Sequence, residues 1–95
     1  MAAFVIADVE VVDPAAYEVY RQQVPATIAA YGGRYLARGG ATTVLEGGWQ
    51  PKRVVILEFP DMARLKAWWD SPEYLPLRAI REHSTRSTLV ATEGL

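Results

Sequence analysis

The side chains of this chain that could hold a charge or move a proton interrupt otherwise apolar runs. Asp8 and Glu10 break AFVIADVEVV (3–12), and Glu58 breaks KRVVILEF (52–59). Arg38 closes RYLARG (34–39), and Arg86 stands in TRSTLVAT (85–92). Burial in an apolar cavity raises a carboxyl pKa, and a nearby guanidinium lowers it again. A carboxylate, an Arg and Tyr hydroxyls in one pocket could bind a small enolisable or carboxylated molecule and move a proton on it. Glu58 and Asp8 are the candidate acid–base groups, and Arg38, Tyr74 and Arg86 the candidate ligand contacts. The same residues have a purely structural reading. Asp8 and Glu10 would then face water near a strand end, and Arg38 and Glu58 would form an ion pair that perturbs pKa values without chemistry.

Other chemistries are excluded by count. The 95 residues contain no Cys, which removes disulfides, thiol catalysis and thiolate metal sites. The single His83 has no second His or Cys to complete a zinc site, and its place near a helix C-terminus suits a solvated cation. No metal or tightly bound cofactor is expected. Neither GxGxxG nor GxxxxGK[ST] occurs, so the Gly pairs read as turns and bulges. Ten Lys and Arg balance eleven Asp and Glu, for a net charge of −1. Eight of the ten are Arg, but they are scattered and make no nucleic-acid stripe. Asp8 and Glu10 also spoil the N-terminal run as a secretory signal, and no stretch reaches the length of a membrane span. A cytoplasmic protein is expected, with neither nucleic acid nor membrane as partner.

The elements that must position these groups follow from pattern. Residues 3–12 form strand one. Asp13-Pro14 opens a helix over 14–31, with Tyr17, Tyr20, Val24, Ile28 and Tyr31 on one stripe and a kink expected at Pro25. Gly32-Gly33 ends it. Residues 34–39 form strand two, with 43–46 (TVLE) as its continuation past a bulge. Residues 52–59 form strand three. Pro60-Asp61 starts a helix with Met62, Leu65 and Trp69 on one face, and Ser71-Pro72-Glu73 restarts a second that ends near Glu82. Trp68 and Trp69 point about 100° apart, so one packs on the sheet and the other at an edge. Tyr74, just past the cap, would overhang the mouth of a barrel. Residues 85–92 form strand four.

The order strand, helix, strand, strand, helix, strand is the split βαβ arrangement of an α+β, ferredoxin-like domain, here one domain over 1–95. Its antiparallel sheet has strand order 4-1-3-2, which places Arg38 beside Glu58. Right-handed crossovers put both helical segments on one face. The other face is also apolar, since neither strand one nor strand three has a fully polar parity set. Leaving it wet would forgo about 1.5–3 kcal/mol per large side chain. A second copy is expected to cover it, sheet against sheet, in a homodimeric α+β barrel.

Several strings taken in order sharpen this. They are Asp13-Pro14 with Tyr17 and Tyr20, Tyr31-Gly32-Gly33, Arg38-Gly39-Gly40, Glu46-Gly47, Glu58-Phe59-Pro60, Trp69, Ser71-Pro72-Glu73-Tyr74 and Arg78. Together they resemble the family called domain of unknown function 1330, in the dimeric α+β barrel superfamily. The resemblance implies a ferredoxin-like protomer paired into a barrel, and no particular activity. Relatives in that superfamily include cofactor-free quinol monooxygenases, muconolactone isomerases, haem-degrading enzymes and stress-response barrels, an analogy of fold alone. The expected function is to bind or transform a small carbonyl or aromatic metabolite inside the barrel without metal. The competing reading is a non-catalytic metabolite-binding, stress-related or structural dimer.

Overall fold

The computed structural model describes residues 1–95. Four strands and three helices run β1 (Ala3–Val11), α1 (Pro14–Ala30), β2 (Arg34–Arg38), β3 (Val54–Phe59), α2 (Met62–Trp69), α3 (Leu75–Ser84) and β4 (Thr85–Glu93). The sheet is antiparallel with order β2-β3-β1-β4, as the pattern predicts. The caps are chemical. The Asp13 carboxylate accepts from the Ala16 amide at 3.2 Å, and that of Asp61 accepts from the Arg64 amide at 2.7 Å. Both satisfy amides that a first helical turn leaves without partners. α1 continues through Pro25. Ser71 opens a turn whose helix proper starts at Leu75 and runs past Glu82 to Ser84.

The core lies between the helices and one face of the sheet. Ala3, Val5, Ala7 and Val9 of β1 are buried there with Leu57 and Phe59 of β3. Tyr17, Tyr20, Val24 and Ile28 of α1 close over them. Of the two adjacent tryptophans it is Trp68 that packs inward. It is 1% exposed, tilted on Phe59 at 5.3 Å between ring centroids. The buried face of α2 is therefore Leu65 with Trp68, and Trp69 sits half-buried at the edge, under the Arg78 guanidinium.

Gly33 shows how close the chain runs here. A Cβ on it would come within 2.6 Å of the Phe59 ring and 2.8 Å of Ile28 Cγ2. Both neighbours are core side chains with no free end to swing away. Gly33→Ala is expected to cost about 1–3 kcal/mol by overpacking, read as a lower urea midpoint.

Two sequence expectations need correction. TVLE (43–46) pairs with nothing: residues 40–53 form a long exposed loop, and the sheet resumes only at Val54. Gly39, with φ at +73°, turns the chain out of β2 before that segment can pair. The second correction concerns Arg38. Tyr35 pairs with Leu57 but Ala37 pairs with Ile56, so Leu36 is an extra residue. Beyond such a bulge the alternation of faces shifts by one. Arg38 falls opposite Val55, on the helix side, while Glu58 points to the open side opposite Arg34. The expected Arg38–Glu58 pair does not form.

Candidate functional site

The bulge separates the candidate residues into two groups on opposite faces of the sheet. On the open face lie Asp8, Glu58 and Arg86. Glu58 accepts from Arg34 Nε at 2.7 Å. The pair is largely exposed on the Arg side, so it contributes little to stability. Asp8 is a tether. One carboxylate oxygen accepts from Trp49 Nε1 at 3.1 Å, and the other accepts from the amides of Lys52 (2.9 Å) and Arg53 (3.3 Å). These bonds, led by that from Trp49, hold its pKa below the ordinary aspartate value. Arg86 stands opposite Glu10 across the β1–β4 ladder. It shares a polar depression of about 340 Å³ with Asp8, Glu10 and Lys52.

A carboxylate whose folded pKa is lowered contributes stability above its unfolded pKa and loses it as pH falls through the folded value. The end of the 40–53 loop should therefore stay fastened at neutral pH. It should loosen as the solution is acidified below the ordinary Asp range near 3.8. Asp8→Ala should free it at every pH, with faster amide exchange at Lys52 and Arg53 and little change at β1.

On the helix side, α1 and the sheet do not meet completely. The cleft between them has a floor of Val5, Ala7 and Val9 with Val55 and Leu57, and a wall of Tyr17, Tyr20 and Val24. It is narrow, with only about 40 Å³ that admits the centre of a water molecule. That inner space suffices for a few waters. Anything larger must displace the exposed rim side chains of Arg21 and Arg38. Deeper in stand Arg53 and Arg81, with Tyr35 between rim and floor. No Asp, Glu or His lines this space.

Burial pushes the hydroxyls of Tyr20 and Tyr35 above their ordinary pKa, so both stay protonated at neutral pH. Tyr20 hydrogen-bonds the hydroxyl of Tyr74 at 2.9 Å. Tyr74 overhangs no mouth: it is fully buried, stacked on Trp68 at 4.0 Å. Its hydroxyl, also approached by Arg81 Nε at 3.4 Å, forms the back of the cleft through Tyr20. The turn from Ser71 aims it inward, because Ser71 caps the Tyr74 amide at 3.1 Å.

Of the sequence-derived contacts, then, Arg38 reaches this cleft and Tyr74 supports it from behind, while Asp8, Glu58 and Arg86 lie across the sheet. Arg53, Arg81, Tyr20 and Tyr35 were not singled out as ligand contacts, yet two carried a signal. Arg53 shares parity with Val55, Leu57 and Phe59, and Arg81 falls on the Leu77–Ser84 stripe of α3. An Arg at a buried-face position is the mark to look for.

This fold, with a layer of helices on one side of an open four-stranded sheet, is ferredoxin-like. The chain belongs to the family described as a domain of unknown function (DUF1330), whose profile matches residues 2–95. Solved structures agree on the fold. A protein of unknown function from Rhodopseudomonas palustris superposes with TM-score 0.81 at 19% identity, covering 99% of this chain and 82% of its own. SnoaB, a cofactor-independent oxygenase from Streptomyces nogalater, gives 0.66 at 14%, covering 99% and 93%. A dimeric ferredoxin-like protein of unknown function from Jannaschia gives 0.67 at 16%, covering 99% and 100%. No curated protein matches the chain. No helix is long and apolar enough to cross a membrane.

Proposed function

We propose that this protein is a homodimer in which each protomer binds a small aromatic or carbonyl metabolite in the cleft between α1 and the sheet. The observation that carries the ligand reading is the cleft itself: an apolar slot ringed by Arg and Tyr and devoid of carboxylate and imidazole. The fold it shares with a cofactor-independent oxygenase is consistent with small-molecule chemistry, and likeness of fold goes no further than that. Binding is favoured over proton transfer by the chemistry of the lining. The sequence-derived acid–base groups, Asp8 and Glu58, are engaged on the far side of the sheet. What the cleft offers is hydrogen-bond donation and positive charge, which hold or stabilise an oxyanion and do not abstract a proton. Arg38 remains the sequence-derived residue most directly placed to touch a ligand.

The dimer rests on the open face. Ala37, Ile56, Ile6 and Val90 form one apolar row across all four strands. Charge is confined to the rows beyond it, with Arg34 and Glu58 at one end and Asp8, Glu10 and Arg86 at the other. Val90 is 61% exposed and Leu36 47%. Such a band, rimmed by charge, suits contact with its own copy about a two-fold axis. A neighbour of this fold from Jannaschia is itself dimeric. The ligand reading is tested by soaking crystals with 1-naphthoate. Density between α1 and the sheet supports it, and density only on the open face contradicts it.

A further inference from the structure

The cleft carries positive charge with nothing to balance it. The ion pairs of the protein are Arg21–Glu18, Arg34–Glu58, and Arg78 with Asp70 and Glu82. Arg38, Arg53 and Arg81 belong to none of them, and all three line the cleft. Arg81 is 5% exposed, and its bonds go to neutral groups, the Ser87 hydroxyl at 2.7 Å and the Tyr74 hydroxyl at 3.4 Å. Arg53 is half-buried, and its Nε has no hydrogen-bond partner at all. Its guanidinium fills the space a Gly39 Cβ would occupy, 2.5 Å from that position, and lies 5.9 Å from the centre of the Tyr17 ring. Arg38 lies over the Tyr35 ring at 4.6 Å and donates only to the Arg21 carbonyl. A buried cation without a counter-charge is costly, and proteins of near-neutral composition have acids to spare for it. Eleven acids are available in this chain and none is placed here.

We infer that the ligand of this cleft is an organic anion: a planar aromatic or carbonyl compound bearing a carboxylate, which supplies the missing counter-charge to Arg53 and Arg81. The ring rests on the valines of β1 and β3, and the carboxylate accepts from the guanidinium groups and the Tyr35 hydroxyl. Guanidinium suits this role because its planar fork matches a carboxylate. The inference rests on the reading that the cleft is the ligand site, and it adds the charge of the ligand.

The test compares 1-naphthoate and benzoate with their neutral carboxamides by calorimetric titration. Each carboxylate is expected to bind the unmodified protein at least about tenfold more tightly than its amide, the scale of one charge-assisted bond in a desolvated site. Arg53→Met should reduce that preference, weakening the carboxylates more than the amides, with Arg81 holding what remains. Because it removes an uncompensated charge, it should also leave the melting temperature unchanged or raised, which loss of a structural contact would not do. Arg34→Gln, on the opposite face, should change neither ligand's affinity. Equal binding of carboxylate and amide, or a preference unchanged by Arg53→Met, overturns the anion inference while the cleft stands as a site. Absence of binding by all four probes overturns the site and the inference together.

Discussion

Trp68→Ala destabilises the protein by about 3–5 kcal/mol, the range for deleting a buried aromatic from a packed core. Trp68 sits where α1, α2 and β3 meet in the core. Its ring stacks on Tyr74 at 4.0 Å and packs on Phe59 at 5.3 Å. Its Nε1 donates to the Thr27 hydroxyl at 3.1 Å, and that hydroxyl donates to the Val24 carbonyl one turn back in α1. Truncation leaves a void among α1, α2 and β3 and removes the donor to a buried hydroxyl. The same substitution at half-buried Trp69 should cost clearly less. Urea unfolding followed by circular dichroism measures both, with the midpoint falling most for Trp68→Ala and the slope unchanged. Equal effects at the two positions would show that the core is not organised around this ring.

Ile56→Lys converts the proposed dimer to monomer without unfolding the protomer. Ile56 sits in the middle of the apolar row, between Ala37 and Ile6, and is only half-buried in the protomer. In a two-fold interface one substitution introduces two ammonium groups near the axis. Each costs several kcal/mol to desolvate without a partner, so the dimer dissociation constant should rise by more than about 1,000-fold. Sedimentation velocity should show the monomer across micromolar concentrations, with the circular dichroism of the folded chain retained. A variant that sediments like the unmodified protein would place the contact elsewhere.

The fold was legible because its signals are local and agree. Asp-Pro caps, strand runs rich in Val and Ile, and the order of elements all point to one topology. The site was less legible because it depends on where faces alternate. Parity through RYLARG puts Arg38 with Leu36 and beside Glu58; a single extra residue at Leu36 sends it to the other side. No residue type in that strand announces the bulge. Asp8 was found as an anomalous acid in an apolar strand, but its partners, Trp49, Lys52 and Arg53, come from a loop more than 40 residues away. Tyr74 was read from its cap as a mouth residue. The Ser71 turn instead directs it beneath α1, a contact between residues 54 apart that spacing does not reveal. Arg53 and Arg81 repeat the spacing of core residues, but a charged side chain is ordinarily assigned to solvent.

In the proposed arrangement each face of the sheet has its own task, a twin covering the open side and a ligand entering beneath the helices. Native mass spectrometry of the unmodified chain at micromolar concentration measures the first half directly. A dominant species at twice the 10.5 kDa chain mass is expected. A spectrum containing only the single chain would leave the apolar row bare to water and contradict it.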